Sequence, residues 1–468
     1  MSLAASPGEG IPIEIGSSRE VFFDAALVET FDGTELRLGH PEEQGTVLRF
    51  DAPWEGRYCG YVTVFQDADR YRMYYRGLPQ AGKDGSDSEV TCYAESADGL
   101  TWTKPDLGVV VRADAPANNI VLADHAPFSH NFAPFLDTNP DAPAEERYKA
   151  LAGTAKTGLH AFVSPDGIHW TQQDGARITE GAFDSQNVSF WSESEQQYLC
   201  YFRTWSKGEF AGYRSVSRAT SKDFRTWSKP EPMTFGNTPM EHLYTNQTEP
   251  YYRAPHVYVS LAARFMPGRR VLSAAQQAAT GVEAQYSGDC SDSVFMSSRG
   301  GTAYDRTFME GFIKPGLDPN DWTSRTNYPA RGIVPTGEHA MSFYVQRDYG
   351  QPTAHLVRYS LRPDGFVSVW APYAGGEMLT KPLVFSGNSL HLNFATSAAG
   401  DVRVQIESAE GEPLPGYAFE DCTEIIGNNL DHAVEWNGST DVSSLAGQAI
   451  RLHFQMKDAE LYAIQFVE

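Results

Sequence analysis

The chain has 468 residues, more than one ordinary core needs, and its 41 Gly, 28 Pro, 26 Phe, 23 Tyr and 9 Trp favour β structure with many tight turns. A net charge of −23 argues against a nucleic-acid backbone or an anionic membrane as partner, because both call for basic patches. There is no apolar run of about eighteen residues to span a membrane. The scattered Cys59, Cys92, Cys200, Cys290 and Cys422 form no C-x-x-C pair, so neither a zinc site nor a disulfide framework is expected.

The start, "MSLAASPGEG", lacks a signal peptide. The chain reads as soluble, with its compartment open between the cytoplasm and export after loss of such a peptide. Residues 1–50 are expected to lead into a repeat domain. That domain announces itself at "SADGLTWTKP" (96–105), which returns as "SPDGIHWT" (164–171) and "SKDFRTWSKP" (221–230). Weaker copies follow at "SSRGGTAYDR" and "RPDGFVSV". Taking Asp98, Asp166, Asp223, Gly300 and Asp364 as equivalent gives spacings of 68, 57, 77 and 64 residues. Alternating runs such as "EVTCYAE" and "YKALAGT" precede the boxes, which is strand periodicity. Five units of several strands each predict an all-β fold, a five-bladed β-propeller over 51–375. Within each box the serine and the acid are expected to bond the turn backbone while the tryptophan wedges between sheets, so the boxes are scaffolding.

A second series precedes the first: "EGRYCGYVTVF" (55–65), "EGAFDSQNVSF" (180–190) and "EHLYTNQTEPY" (241–251) overlay without gaps, and "FSHNFAPF" and "TGEHAMSF" fit their later part. Each would be an innermost strand, delivering polar side chains to a central cavity. The segment 267–290 interrupts one blade as a loop with a helical turn or two, expected to overhang one face. After about residue 376, "NSLHLNFATSAAGDVRVQIES" and "QAIRLHFQMKDAELYAIQFVE" alternate without boxes, which predicts a C-terminal β-sandwich over 376–468.

The converging set holds the candidate catalytic acids Asp184, Glu241, Glu338, Glu55 and Glu249. It also holds the candidate sugar-binding groups His130, Asn131, Gln186, Asn187, Asn246 and His339. Several carboxylates in one cavity separate in pKa, and one protonated acid with one ionised partner is what glycosidic-bond cleavage requires. Arg203, Arg264 and Arg299 follow apolar strands and would pair with these acids or grip an anionic sugar. Trp322 would stack on a sugar face. No compact metal triad is present. No metal or cofactor is therefore predicted, although an acid-rich channel is compatible with a structural divalent cation.

Five units with acids on their first strands and a trailing sandwich resemble the five-bladed β-propeller glycosidases of the invertase, fructanase and arabinanase kind, without their usual signature motifs. The resemblance implies that Asp184 is the middle-blade aspartate, Glu241 or Glu249 the general acid, and Glu55 the blade-one carboxylate. The boxes resemble the Asp-box of sialidases, shortened by one residue. The function expected is a glycoside hydrolase acting on a plant- or algal-type oligosaccharide or polysaccharide. The alternatives are a non-catalytic carbohydrate-binding propeller, a sialidase-like enzyme, or a lyase using His130 or His339 as base. The sequence sets no oligomeric state.

Overall fold

The computed structural model describes residues 11–82, 84–113, 115–208 and 210–468. The chain divides into two units, one spanning 41–360 and the other combining residues up to 40 with 361–468.

The unit 41–360 is built of five antiparallel sheets, the blades of a propeller. Their innermost strands are Gly60–Asp67, Ala133–Leu136, Val188–Ser192, the pair Leu243–Thr245 and Thr248–Tyr251, and the pair Tyr328–Pro329 and Val334–Gly337. The middle strands are buried along most of their length, as in Gln197–Trp205, because both faces of a blade are covered by its neighbours. The apolar core accordingly lies between blades. Leu151 and Ala161 of the second pack with Tyr198 and Cys200 of the third, and Val188 and Leu199 of the third with Tyr258 and Ala262 of the fourth. The fifth blade takes its outermost strand, Glu42–Arg49, from the start of the unit, antiparallel to His355–Leu361. This pairing closes the ring.

The three clear boxes are one turn built three times. Asp98 accepts the backbone N–H groups of Leu100 and Thr101, both at 2.8 Å, and Ser96 Oγ accepts that of Gly99 at 2.9 Å. Asp166 and Asp223 do the same, at 2.7–2.8 Å, with the two residues that follow their turns. Two of the boxes also lock to the adjacent blade through a tyrosine hydroxyl. Tyr344 of the fifth blade donates its hydroxyl to the Gly99 carbonyl at 2.6 Å, and Tyr74 of the first donates to that of Gly167 at 2.9 Å. The last two copies keep the position after a third strand but not the chemistry. Ser298 bonds the Ala303 carbonyl, and Asp364 lies in the other unit, where it is ion-paired with Arg19 at 2.6 Å.

In that other unit, ten strands form a single curled sheet about one core. Ser389–Ser408 and Ala449–Val467 pair along most of their length. Residues 11–40, expected to lead into the propeller, instead supply four strands here. Ile13–Gly16 runs parallel to Leu383–Phe385, and Glu20–Val21, Val28–Asp32 and Glu35–Leu38 add antiparallel pairings. The propeller boundaries accordingly fall at 41 and 360. These four strands are two to five residues long, too short to show an alternation in sequence. The five cysteines are buried and unpaired.

Gly99 has φ +71°, and a Cβ there would lie 2.8 Å from Thr336 Cγ2 and 3.3 Å from the Tyr344 hydroxyl. Tyr344→Phe is predicted to cost about 1 kcal/mol of unfolding free energy by removing one buried hydrogen bond. Gly99→Ala should cost more, through strain and displacement of the same joint. Urea unfolding of the two variants gives the order, and the reverse order would contradict the role of the box as an inter-blade lock.

Candidate functional site

An antiparallel blade returns its second strand to the end where its first began. The leading ends of the inner strands, the trailing ends of the second strands and the loops after them therefore share one mouth of the ring. Second strands carry an arginine within two residues of that trailing end in four blades: Arg76, Arg203, Arg264 and Arg347.

At this mouth a narrow recess, with a cavity volume of about 30 Å³, is lined by all five blades. The first gives Tyr61, Arg76 and, from the loop after its second strand, Asp84. The second gives His130 and the third Gln186. The fourth gives Tyr244 and Gln247, and the fifth Arg325, Tyr328, Gln346 and Tyr349. Gln186 donates to Thr63 Oγ1 at 2.7 Å and accepts from Gln247 at 2.8 Å, and Gln247 also donates to the Pro329 carbonyl at 2.9 Å. This run of amides ties four blades together across the channel.

His130 is buried, and its Nδ1 lies 2.9 Å from Glu89 Oε1 and 3.1 Å from Arg76 Nη1. Two donors cannot share one contact. An ionised Glu89 takes the Nδ1 proton, so the Arg76 contact is a packing neighbour rather than a second hydrogen bond. The other ring nitrogen, Nε2, is buried without a partner in the protein and lies 4.0 Å from Asp84 Oδ2. Arg76 donates to the Tyr58 carbonyl at 3.0 Å and sits over the Tyr61 ring at 4.7 Å.

Asp184 stands just before the third inner strand. The Asn131 amide holds the carbonyls of Phe183 and Ser185 around it and pins Gly153 as well, and Asn187 also donates to Ser185 at 3.0 Å. The Asp184 carboxylate is ion-paired with Arg203, whose Nε donates at 3.0 Å and whose guanidinium lies 4.5 Å from the Tyr244 ring centre. Burial pushes the Tyr244 phenol up, but Arg325 and Arg203 outweigh it and hold the phenol below its ordinary value. Tyr61 and Tyr328 stay well above theirs through burial. Tyr244 is thus more acidic than Tyr61 and Tyr328.

The interruption at 267–290 reaches this mouth. Its helix Ala274–Thr280 starts at a Ser273–Gln276 capping box and ends at Gly281, which has φ +67°. Tyr286 follows and packs against Tyr58 and Tyr349, with ring centres 5.7 and 5.3 Å away, while Glu283 accepts the Tyr58 hydroxyl.

Of the residues singled out in sequence, His130 and Gln186 line the recess, and Asp184 and Arg203 adjoin it. Asn131 and Asn187 are buried clamps on the backbone around Asp184, and the Asn246 side chain accepts the Thr248 N–H at 3.0 Å. Glu241 does not line the recess. Arg264 takes one of its oxygens at 2.8 Å and Arg306 the other at 2.7 Å, and Arg264 also grips Asp292. Glu55 is fully buried between Tyr75 and Lys104. Glu338 and His339 sit on an exposed hairpin tip after Val334–Gly337, at the far end of the inner strand. Arg299 follows the fourth blade's third strand, and Trp322 donates to the Gly316 carbonyl at 2.9 Å from a short 3-10 turn; neither lines the recess. Asp84, Arg76, Arg325, Tyr61 and Tyr244 were not singled out. The signal available for Arg76 was "YYRG", the counterpart of "YFRT" around Arg203. Among the described residues no group of three or more His, Cys, Asp or Glu is arranged to hold a metal ion, and no helix is long and apolar enough to cross a membrane.

No family model and no curated protein matches the chain. Among solved structures it is similar to one described as a glycoside hydrolase, with TM-score 0.47 and 12% identity over 69% of this chain and 93% of the other. It is similar to an N-acetylgalactosamine deacetylase from F. plautii in complex with blood group B trisaccharide, at TM-score 0.44 and 13% identity over 70% and 95% of the two chains. It is also similar to an alpha-L-arabinofuranosidase from Fusarium graminearum, at TM-score 0.39 and 10% identity over 69% and 98%. These likenesses assign no residue a role.

The opposite mouth, where the inner strands end, forms a second recess that includes Phe135, Trp191, Tyr252 and Glu249. Glu249 accepts the Gly332 N–H at 3.0 Å. Burial outweighs that bond and the neighbouring Arg331, and pushes the carboxyl up to about 7. A raised carboxyl binds its proton more tightly in the folded chain than in the unfolded one. Its contribution to stability is therefore full below about pH 4.5 and is lost as pH rises through about 7. Glu249→Gln is predicted to flatten this part of the profile of Tm against pH, gaining on wild type from pH 4.5 upward. Parallel profiles would contradict the assignment.

Proposed function

We propose that the recess at the leading ends of the inner strands is the active site of a glycoside hydrolase, with Asp184 and Asp84 as its carboxylate pair. The observation that carries this reading is their convergence. Asp84 lines the tyrosine-walled recess and Asp184, from another blade, adjoins it, and both act electrostatically on the Tyr244 phenol. A polysaccharide-cleaving site needs one carboxyl to protonate the leaving oxygen and one carboxylate to meet the positive charge that develops at the sugar carbon. Asp184, gripped by Arg203, supplies the second. Asp84 pairs with no Arg or Lys among the described residues and has His130 Nε2 at 4.0 Å, which suits a group that gives up and regains a proton. The faces of Tyr61 and Tyr244 offer stacking surface for a sugar ring. The substrate is an oligosaccharide or polysaccharide, of the plant or algal type expected from sequence.

A carbohydrate-binding propeller without catalysis would leave its acids neutralised by bases, as Glu55 and Glu241 are. What favours the enzyme is the placement of Asp84, 66% exposed at the recess, beside the unpartnered Nε2 of His130. Asp184→Asn and Asp84→Asn are each predicted to lower the release of reducing sugar by about a hundredfold or more, with folding retained by circular dichroism. Glu241→Gln should stay within about tenfold of wild type. On an aryl glycoside whose leaving group needs no proton, Asp84→Asn should recover most of its loss while Asp184→Asn does not. Wild-type turnover in both aspartate variants would refute the reading.

A further inference from the structure

Many arginines of this unit have acid partners, although among the described residues Arg214 and the buried Arg331 have no carboxylate within ion-pair distance. Arg72, Arg203, Arg218, Arg264, Arg306 and Arg347 each pair with a carboxylate, as expected in a chain with 60 acids against 37 bases. Arg76 and Arg325 lack one too, and of these four only they line the recess. Both face the recess, and among the described residues no carboxylate lies within ion-pair distance of either. Glu89, the nearest candidate for Arg76, is engaged by His130. A largely desolvated cation without a counter-charge is costly, and it is kept where something else supplies the charge.

The hydrogen-bonding count agrees. Arg76 Nε, Arg325 Nε and Gln346 Nε2 are donors that line this recess, buried with no partner in the protein; Gln247 Oε1 and the His130 ring nitrogen are acceptors in the same state, and the Tyr328 and Thr245 hydroxyls can serve as either. Donors outnumber acceptors, so the complementary ligand is rich in acceptors. A neutral sugar hydroxyl would satisfy a donor but bring no charge to either guanidinium. A carboxylate or sulfate answers donor and charge together.

The placement is built rather than incidental. Arg76 donates to the Tyr349 hydroxyl at 3.3 Å, and Arg325 lies 5.7 Å from the same ring, so the two guanidiniums share one wall. Tyr286 and Tyr244 flank Arg325 at 5.0 and 5.5 Å. Its backbone is held at φ +60°, a conformation an arginine adopts only where its surroundings impose it.

Resting on the hydrolase reading above, we propose that the substrate of this recess is an acidic sugar, whose carboxylate or sulfate sits on Arg76 and Arg325. The Asp184–Asp84 pair then faces the glycosidic bond, and the two opposite charges of the site are kept to separate parts of one ligand.

Binding of monosaccharides by calorimetry tests this apart from hydrolysis, because they contain no bond to cleave. The probes are glucuronate, galacturonate and galactose 6-sulfate, against glucose and galactose. At least one acidic sugar is predicted to bind about tenfold or more tightly than its neutral counterpart, and the arm that binds tells carboxylate from sulfate. Arg325→Gln and Arg76→Gln should each erase most of that preference, while Arg325→Lys, which keeps the charge, should retain part of it. Equal binding of acidic and neutral sugars, no binding of any acidic sugar, or a preference that survives both glutamine variants would overturn the inference. A chain that cleaves neutral oligosaccharides through Asp184 and Asp84 but shows no acidic preference keeps the hydrolase reading and loses this one. A chain with the preference but with full turnover in both aspartate variants does the opposite.

Discussion

The recess exists because one sequence-distant pairing holds. Glu42–Arg49 lies along His355–Leu361 with Leu48 opposite Leu356 and Glu43 opposite Tyr359, joining the first residues of the propeller unit to its last. Glu43 also accepts from Arg347 at 2.8 Å and from the Tyr359 hydroxyl at 2.7 Å. Lys104, near the end of the first box, donates to the Arg49 carbonyl and to Asp51 and Glu55, which fastens the closing strand to the first blade. Closure over such a separation is entropically expensive and is repaid only when all five blades are in place. Once it forms, five inner strands point their leading ends at one space, and side chains from 61 to 349 become neighbours.

Where the acids fall within that ring separates scaffold from chemistry. In an acidic chain most carboxylates are consumed holding the structure. The box aspartates cap turns, Glu55 anchors Lys104, Glu195 pairs with Arg218, and Glu241 is shared by two arginines. The recess inverts this balance. Among the described residues Arg76 and Arg325 line it without an ion-paired acid, Asp84 lines it without an Arg or Lys partner, and Asp184 adjoins it. Desolvating two guanidiniums costs stability and is useful toward a ligand that brings the opposing charge.

Much of the fold was legible in the sequence because the box is a local device. A serine, an acid and an aromatic at fixed spacing record a turn after every third strand, even where the acid is lost, as at Gly300. The inner strands Gly60–Asp67, Ala133–Leu136 and Val188–Ser192 were legible for the same reason, and with them His130, Gln186 and Asp184. The fifth blade was not. Its inner strand is split into Tyr328–Pro329 and Val334–Gly337, and the overlay on "TGEHAMSF" picked the trailing end of the second piece, which put Glu338 and His339 on the wrong mouth. The correct leading end, "SRTNYP", holds Arg325. Glu241 stands two residues before its strand, close enough in sequence to look like a pocket acid, yet Arg264 and Arg306 capture it. Asp84 lies in a loop after a second strand, where neither periodicity nor the overlay marks it, and only closure of the ring brings it beside His130. Residues 13–38 pair with strands more than three hundred residues away, and no local pattern reports that.

The central claim is that a sugar occupies the recess between Asp84, Asp184 and the paired arginines. A crystal structure of Asp84→Asn with an acidic oligosaccharide bound tests it most directly. The account predicts the glycosidic oxygen within about 3 Å of the side chain at position 84, with the acidic substituent on Arg76 and Arg325. A ligand seated instead at the opposite mouth beside Glu249, with this recess unchanged, would contradict it.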